Sequence, residues 1–235
     1  MFMKSDKILN KIITCHVNKY NTNCKLVSKA PGRVNIIGEH TDYNHGLAMP
    51  VAVSRYVYVS ISLNSTKSFR VYSDSFKEDI CFDLNEIADN SNWHIYVSGC
   101  IKEVYKIYNL HKGLDICIFS NLPIGRGVSS SAALEVALVN GIMKVFNINE
   151  REKNIIKLCQ SVDEKYLHLK SGTLDQTASQ LSKKDHLLKI DFSKDEVNYI
   201  TYRLNDCSWI VIDSMIRREL VNTQYANRVD ECEKA

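Results

Sequence analysis

Residues 121–146 read NLPIGRGVSSSAALEVALVNGIMKVF, where turn-forming residues give way to the apolar pattern of a helix. Alternating apolar residues at 114–118 predict a strand directly before this run. The order of strand, glycine-bearing loop and helix places the unpaired helix-start amides and the positive end of the helix dipole beside the loop. Such a loop can hold an anion. Small residues also start helices that bind nothing, so this stretch alone leaves both interpretations open.

The loop has the residue types that phosphate binding needs. Gly125 and Gly127 allow unusual backbone dihedrals and let N–H groups approach a ligand closely. Three consecutive serines, Ser129, Ser130 and Ser131, supply hydroxyl groups and predict side-chain caps at the helix start. The Lys-Ser/Thr pair of a P-loop is missing, so the stretch is not a Walker A motif.

The rest of the chain alternates between strand and helix patterns, without an internal repeat, a low-complexity segment or a linker. Further strands are predicted at 51–63, 68–74, 78–83, 187–192 and 209–213. Further helices are predicted within 1–20, 93–108, 151–169, 172–182 and 222–235. The strand at 51–63 alternates apolar with polar residues, which predicts burial on one face only. Together these elements predict one α+β domain over residues 1–235.

A second polar cluster stands at residues 30–50, APGRVNIIGEHTDYNHGLAMP. Its apolar period is short, and the remaining residues are turn-forming or charged with both signs. Four groups able to bind a polar ligand fall within ten residues of one another: Arg33, Glu39, His40 and Asp42. This composition predicts a binding site rather than a scaffold element.

Composition narrows the class of function. The chain has 235 residues, 45% of them apolar and 24% charged, with a formal net charge of +3. That charge is mild and no Lys/Arg cluster exceeds a pair, which argues against nucleic-acid binding. The eight cysteines are scattered without a CxxC pair, a pattern typical of reduced thiols in a cytoplasmic protein. No apolar run approaches the length of about 18 residues that a membrane span needs.

The two polar clusters together resemble the GHMP kinase superfamily, and specifically the galactokinases. GRVNIIGEHTDYNHG is similar to the sugar-kinase signature, and PIGRGVSSSAALEVA, about 90 residues later, is similar to the nucleotide-phosphate loop. Three further segments resemble galactokinase segments in the same order: NWHIYVSGCIKEV, SGTLDQTAS and VIDSMIRRELVNTQYANRVDECEKA. The five ordered matches extend over residues 30–235, which makes chance a poor explanation.

The resemblance implies a fold and a reaction. The fold is the family's N-terminal α+β domain, a mixed sheet packed by helices, with the sugar-binding signature at 30–50 and the ATP/phosphate loop at 122–133. The reaction is ATP-dependent phosphorylation of D-galactose at the C1 hydroxyl, which gives galactose 1-phosphate and ADP. The expected partners are galactose, ATP and Mg²⁺, with no nucleic acid and no membrane, for a cytoplasmic monomer.

The resemblance also carries over sugar-binding roles. Glu39, His40 and Asp42 match side chains that bind the sugar hydroxyls, because buried hydroxyls need fixed hydrogen-bond partners. Gly172 matches the residue whose backbone approaches the sugar, and Tyr225 matches a tyrosine on the sugar's side. Taken alone, each polar residue also fits a turn or a cap, and Tyr225 fits a core position.

Asp175 matches the catalytic aspartate, placed to accept the proton of the anomeric hydroxyl, and Arg33 matches the arginine beside it. Both also belong to the implied substrate-binding set. A nearby guanidinium favours the ionised form of a carboxylate, and it can offset charge on the transferred phosphoryl group. Whether such an aspartate is a true base or chiefly orients the hydroxyl stays open, because loose phosphoryl transfer needs little early deprotonation.

The nucleotide side of the implied site consists of residues in and after the loop: Pro123, Gly125, Arg126, Gly127, Ser129, Ser130 and Ser131. Trp93 is the expected adenine-side residue, with core packing as an equal alternative. Ser131 matches the metal-side hydroxyl for Mg²⁺. Its partner carboxylate falls on Asp163, where the family usually has Glu, and Glu164 is a rival.

The sequence departs from the galactokinase pattern in side chains and in length. Arg126 stands where small residues are usual, Arg218 stands where the family often has His, and the bulky residue after Gln176 is missing. These differences bear on sugar specificity, so related kinases of N-acetylgalactosamine or arabinose are alternatives. The resemblance ends before the family's C-terminal domain, which we expect to be truncated here. A non-catalytic galactose/ATP sensor is the second alternative.

Overall fold

The computed structural model describes residues 5–85, 93–203, 209–215 and 224–234. Its helices are α1 (Ser5–Tyr20), α2 (His94–Tyr108), α3 (Ser130–Val145), α4 (Glu152–Tyr166), α5 (Leu174–Leu181) and α6 (Gln224–Lys234). Its strands are β1 (Leu26–Ile37), β2 (Leu47–Leu63), β3 (Phe69–Ser73), β4 (Glu78–Phe82), β5 (Leu114–Ser120), β6 (His186–Asp191) and β7 (Glu196–Thr201). Within these ranges, no helix is both long and apolar enough to cross a membrane.

The seven described strands form one mixed sheet in the order β4-β3-β5-β2-β6-β7, with β1 paired to β2 off this path. β3 and β5 run parallel, and the other paired strands run antiparallel. β2 is central because its 17 residues reach three partners, with β1 along most of its length, β5 at its end and β6 at its start. The mixed sheet packed by helices confirms the predicted α+β fold.

α1 covers one face of the sheet. Ile8 and Ile12 of this helix pack with Tyr58 of β2 and Cys117 of β5 in a small apolar cluster. Residues 57–62 of β2 are therefore buried on both faces. The prediction that this strand is buried on one face only is wrong, because α1 covers the face that carries the polar residues.

His16 of α1 satisfies two serines on that face. Its Nδ1 lies 3.0 Å from Oγ of Ser60, and its Nε2 lies 2.9 Å from Oγ of Ser62. Burial lowers the pKa of His16 below its usual value, and the charge of Asp115 opposes that shift. The alternating serines of β2 thus bind a buried histidine instead of facing water.

The larger core joins the other face of the sheet to α2, α3 and α4. α3 is its central helix and contacts β1, β2, α2, α4 and α5. Twelve of its 16 residues are buried, which explains why the run is apolar on nearly every side. A helix buried in this way holds the loop before it firmly against the sheet.

Three segments differ from the sequence prediction. β1 extends through 30–37, where the polar motif predicted no scaffold element. It pairs only with β2 among the described strands, and register shifts between Pro31/Arg33 and Asn35/Ile37 interrupt its period. β7 has a largely exposed pattern that the sequence does not predict as a strand. The predicted strand at 209–213 is wrong, because the described residues 209–215 are exposed and irregular.

Candidate active site

A cleft collects many of the side chains that the sequence singles out. Its volume is about 470 Å³, within the range of about 300–1,000 Å³ typical of small-molecule sites. The predicted site residues in its lining are Arg33, Glu39, His40, Asp42, Ser131, Asp163, Gly172 and Asp175. The predicted loop residues Pro123, Gly125, Arg126, Gly127, Ser129 and Ser130 are not part of the described lining. Gly127 and Ser129 contact it through Arg33 and Asp175. The fold thus brings together residues of β1, α3, α4, α5 and the segments before and after them.

An ion pair between Arg33 and Asp175 lies in this cleft. Arg33 Nε donates to Asp175 Oδ1 at 2.7 Å, and Arg33 Nη2 lies 2.5 Å from the same oxygen. Arg33 belongs to β1, and Asp175 belongs to the first turn of α5. Thr173 takes the N-cap position of α5. Asp175 therefore does not serve as the cap, and its carboxylate lines the cleft.

The glycine-bearing loop contacts both partners of this ion pair. Arg33 Nη1 donates to the carbonyl oxygen of Gly127 at 2.9 Å. The hydroxyl of Ser129 donates to Asp175 Oδ2. The prediction that Ser129 caps α3 through its side chain is wrong, because its hydroxyl binds Asp175 and no described side chain caps that helix. The helix-start amides therefore remain available to an anion.

Close packing of the loop against β1 depends on Gly32. A methyl group at this residue would lie 2.5 Å from the carbonyl oxygen of Val128 and 2.6 Å from Cδ2 of Leu122. The backbone N–H of Arg33 donates to the same Val128 carbonyl at 3.2 Å. The absence of a side chain at Gly32 thus sets the short distance between the loop and Arg33.

The polar motif after β1 forms another wall of the cleft, with Glu39 and His40 exposed and Asp42 more deeply placed. Asp42 Oδ2 accepts a hydrogen bond from the backbone N–H of Leu174 at 3.4 Å. Burial raises the pKa of Asp42, and the Leu174 hydrogen bond opposes the rise. Gly172 lies directly against this carboxylate, since a methyl group there would come within 2.2 Å of Asp42 Cγ and Oδ2.

Ser131 and Asp163 place a hydroxyl and a carboxylate in the same cleft. Asp163 is 8% exposed. Its Oδ2 accepts from Gln176 Nε2 at 2.8 Å and from Ser171 Oγ at 3.2 Å. Burial raises the pKa of Asp163 to about 6. Glu164, the rival of Asp163 in the sequence, is exposed and lines a separate cavity.

These two oxygen donors fit Mg²⁺. The ion prefers carboxylate and other oxygen ligands, and proteins usually bind it through one or two carboxylates together with substrate phosphates and water. The described residues contain no group of three or more His, Cys, Asp or Glu that could hold a metal. Ser131 and Asp163 would therefore supply part of a ligand shell, which is the usual arrangement for a metal that arrives with a nucleotide.

Comparison with known proteins places this geometry in a family. The galactokinase galactose-binding signature matches residues 14–63, and the GHMP kinases N terminal domain matches residues 95–183. The chain belongs to the GHMP kinases. This GHMP kinase chain is 37% identical over 207 residues to the galactokinase of Thermosipho africanus, across 88% of this chain and 58% of that protein. It is 32% identical over 230 residues to the galactokinase of Clostridium perfringens strain 13, across 96% of this chain and 59% of that protein.

Solved structures agree with this assignment. Lactococcus lactis galactokinase complexed with galactose matches the GHMP kinase chain with a TM-score of 0.86 at 28% identity, across 95% of this chain and 59% of that chain. Methanococcus jannaschii mevalonate kinase matches with a TM-score of 0.64 at 19% identity, which shows the shared fold alone. The chain spans 58% to 59% of the length of the galactokinases it matches.

Three polar residues of this GHMP kinase site escape the sequence prediction. Tyr96 lines the cleft with Ser131, and the Ser131 side chain opposes the rise that burial causes in the pKa of Tyr96. Gln176 Nε2 lies 3.3 Å from Glu135 Oε2 as well as binding Asp163. Glu135 is fully buried, and burial raises its pKa well above the usual range, with the charge of Asp163 adding to the rise. A signal existed, because Glu135 interrupts an apolar helix one turn after Ser131, and buried charges need partners.

Of three other residues that the sequence singles out, the structure describes only Trp93 in full. Trp93 is 6% exposed, its ring stacks on Phe76, and its Nε1 donates to Glu78 Oε2 at 2.9 Å. It is not part of the described lining of the cleft, so its adenine-side role stays a prediction. The side chain of Tyr225 and the whole of Arg218 lie outside the described residues of this GHMP kinase.

Proposed function

We propose that this chain provides the sugar site, the phosphate loop and the catalytic carboxylate of a galactokinase, which transfers the γ-phosphoryl group of ATP to the C1 hydroxyl of D-galactose. The observation that carries the proposal is the contact of Asp175 with both Arg33 and Ser129. The loop expected to bind phosphate and the wall expected to bind sugar meet at one carboxylate, and phosphoryl transfer depends on such positioning. The signature match and the galactose-bound relative from Lactococcus lactis support galactose as the acceptor.

In the proposed complex, Glu39, His40 and Asp42 bind the sugar hydroxyls. A carboxylate has about four acceptor positions, so Asp42 can keep its bond from Leu174 and accept a sugar hydroxyl as well. Gly172 packs directly against the Asp42 carboxylate and so limits its movement. A sugar that lacks the matching hydroxyl would cover one of these acceptors and leave it unpaired, which is how the wall would discriminate between epimers. Tyr225 is proposed on the sugar's side.

Asp175 is proposed to accept the hydrogen bond of the C1 hydroxyl and to aim the C1 oxygen at the γ-phosphorus. As the new O–P bond forms, the bond between the γ-phosphorus and the bridging oxygen breaks, its electron pair leaves with ADP, and the hydroxyl proton passes to Asp175. Because the transition state is loose, this proton moves late. Arg33 stabilises both the carboxylate and the charge on the transferred group. Ser129 and Arg33, bound to different oxygens, hold the carboxylate in one orientation.

Ser131 and Asp163 are the residues proposed to hold Mg²⁺ with ATP. The ion would neutralise the β- and γ-phosphates and so lower the barrier to transfer. This chain's own part is to fix the two donors before the ion arrives. Tyr96 lies close to Ser131, while Gln176 and Ser171 donate to Asp163.

The proposal also covers the adenine of ATP and the cellular compartment of the chain. Trp93 is proposed for the adenine side of ATP, with Phe76 stacked against one face of its ring. Galactose and Mg-ATP are the partners of a cytoplasmic monomer. The seven cysteines of the described part are free thiols, which agrees with a reducing compartment.

The test is a coupled ADP-release assay of this chain with Mg-ATP and galactose, glucose, N-acetylgalactosamine or arabinose, together with calorimetric galactose binding. We expect ADP release that depends on galactose and is lost in Asp175→Asn. Asp195→Asn, an exposed charge change in the β6–β7 turn, is the matched control and keeps full activity. Galactose binding without ADP release would overturn catalysis by this chain, and the absence of binding would overturn the sugar site.

A further inference from the structure

The phosphate loop is tied to a distant segment through Arg126 and Asp213. Arg126 Nε lies 3.3 Å from Asp213 Oδ2, and Arg126 Nη1 donates to Asp213 Oδ1 at 3.4 Å. The two groups therefore form an ion pair with a single hydrogen bond, and both distances are longer than the about 2.7–2.9 Å of a strong charge-assisted bond. The Arg126 side chain is 17% exposed and the Asp213 side chain 38%, so water screens the pair only in part.

Asp213 is oriented by its own segment, residues 209–215. Its Oδ1 also accepts the backbone N–H of Met215 at 2.8 Å. The segment forms neither helix nor strand within the described ranges, and it exposes large apolar side chains such as Ile212. The contact with Arg126 thus links this exposed segment to the loop.

Arg126 stands in the middle of a loop built to face an anion. Its neighbours Gly125 and Gly127 have φ values of 68° and 73°, and Ser129 has a φ of 55°. Alternation of left-handed residues with ordinary ones turns successive backbone N–H groups to one side, which makes an anion-binding concavity. A methyl group at Gly127 would meet no described atom within 4 Å, so the space over the loop is open. A guanidinium on the adjoining residue can reach an anion held there.

We propose that Asp213 is an internal counterion of Arg126 and that a nucleotide phosphate displaces it. Arg126 then binds either the Asp213 carboxylate or the phosphate, and competition from Asp213 lowers the affinity for the nucleotide. This inference rests on the proposed function, because it takes ATP as the ligand of the loop. Phosphate oxygens accept guanidinium N–H bonds as carboxylate oxygens do, and a triphosphate carries more negative charge than one carboxylate.

The test is calorimetric titration of Mg-ATP into the wild-type chain, Asp213→Asn, Arg126→Ala and the double variant. Asp213→Asn removes the charge but keeps the oxygen that accepts from Met215. We expect it to lower the Kd about two- to fivefold, the effect of losing one partly exposed ion pair. Arg126→Ala raises the Kd about fivefold or more, because a charge-assisted phosphate contact is lost. In the Arg126→Ala background, Asp213→Asn has no further effect, since the two residues act as one unit.

Asp195→Asn is the matched control, because it changes the net charge equally at an exposed ion pair with Lys153, and it leaves the Kd unchanged. Equal Kd values for wild type and Asp213→Asn would overturn the exchange and leave the proposed function intact. Equal shifts in Asp213→Asn and Asp195→Asn would show a general charge effect and overturn it as well. Galactose binding with no Mg-ATP binding by any variant would overturn both the exchange and the nucleotide half of the proposed function. Arg126→Gln replaces Arg126→Ala in this test if circular dichroism shows that the alanine variant is unfolded.

Discussion

Arg33 and Asp175 stand 142 positions apart in the chain and meet at one oxygen, Asp175 Oδ1, which both Nε and Nη2 of Arg33 contact at 2.7 Å and 2.5 Å. The other carboxylate oxygen accepts from Ser129. A strand and a loop therefore each hold one oxygen of the same group. A carboxylate held at both oxygens cannot rotate freely, so a substitution that keeps its shape tests its chemistry more than its position.

We expect Asp175→Asn to reduce kcat with galactose by about 10²–10⁴-fold, the usual contribution of a general base. The amide keeps an oxygen to accept from Arg33 but cannot take the hydroxyl proton at neutral pH. Galactose Kd should change less than about threefold, because the sugar wall is untouched. ADP release measures the first quantity and calorimetry the second. Full activity in this variant would remove Asp175 from catalysis.

Gly172→Ala is expected to weaken galactose binding about tenfold or more. The added methyl group would lie 2.2 Å from Asp42 Cγ and Oδ2, so the carboxylate must move and its proposed hydrogen bond to the sugar is lost. A double-mutant cycle with Asp42→Ala identifies the route. If Gly172 acts through Asp42, Gly172→Ala adds little to Asp42→Ala. Additive losses in calorimetric Kd would show that Gly172 contributes to sugar binding independently.

The hydrophobic periodicity of the sequence predicts helices and strands better than it predicts which other elements pack over them. β2 is predicted as a strand because its residues alternate, but Ser60 and Ser62 are then assigned to water. They instead meet His16, 44 and 46 positions earlier in the chain. That burial depends on where α1 packs, which local patterns do not contain. At 209–213 the sequence instead predicts a strand that is not formed. An apolar pattern becomes a strand only where a neighbouring strand is available to pair with it.

In the candidate site, too, the sequence predicts which residue types take part but not which side chains they contact. The polar motif and the loop predict residues that line or border one cleft, because carboxylates, glycines and serines are distinctive in sequence. The partner of each side chain is a tertiary choice. Ser129 matches a helix cap locally, yet its hydroxyl binds Asp175, 46 positions later. Glu135 is read as part of a helix, and its contact with Gln176 becomes evident only when α3 and α5 are packed together.

Acid should destabilise the fold through His16. Burial places the pKa of His16 below its usual value of 6.5, so the unfolded chain binds the proton more readily than the folded chain. The free energy of unfolding therefore falls as pH drops below about 6.5, by at most about 1.4 kcal/mol per pH unit for this group. The buried carboxyl groups with raised pKa values have the opposite slope, so the difference between variant and wild type isolates the histidine.

Urea denaturation of His16→Asn between pH 7 and pH 5 measures that difference. The variant is less stable than wild type at pH 7, because the two serines lose their partner, and we expect the gap to narrow as the pH falls. His111→Asn, at an exposed histidine, is the control and should follow the wild-type curve. A constant gap between His16→Asn and wild type would show that His16 binds its proton equally in the folded and unfolded chains.

Gln176 is expected to stabilise the fold by joining the two buried carboxyl groups behind the cleft. Its Nε2 serves Asp163 Oδ2 at 2.8 Å and Glu135 Oε2 at 3.3 Å. Gln176→Leu removes this donor. Asp163 keeps its hydrogen bond from Ser171, but Glu135 Oε2 loses the Gln176 amide, and a buried acceptor left without a partner costs about 1–3 kcal/mol. The lost amide oxygen has no hydrogen-bond partner among the described residues, so its removal offsets part of that cost. We therefore expect a net loss of about 1–2 kcal/mol in the free energy of unfolding at pH 7.

Gln180→Leu is the matched control on the same helix. Gln180 accepts from Asn140 Nδ2 at 2.7 Å, and that nitrogen also donates to the carbonyl oxygen of Val136 at 2.8 Å. Its removal therefore leaves the asparagine partnered, and the expected loss stays below about 1 kcal/mol. Denaturation midpoints of the two variants, at equal slope, give the comparison. Equal midpoints for Gln176→Leu and Gln180→Leu would contradict this role. They would show that losing Gln176 costs no more stability than losing Gln180, which contacts neither buried carboxyl group.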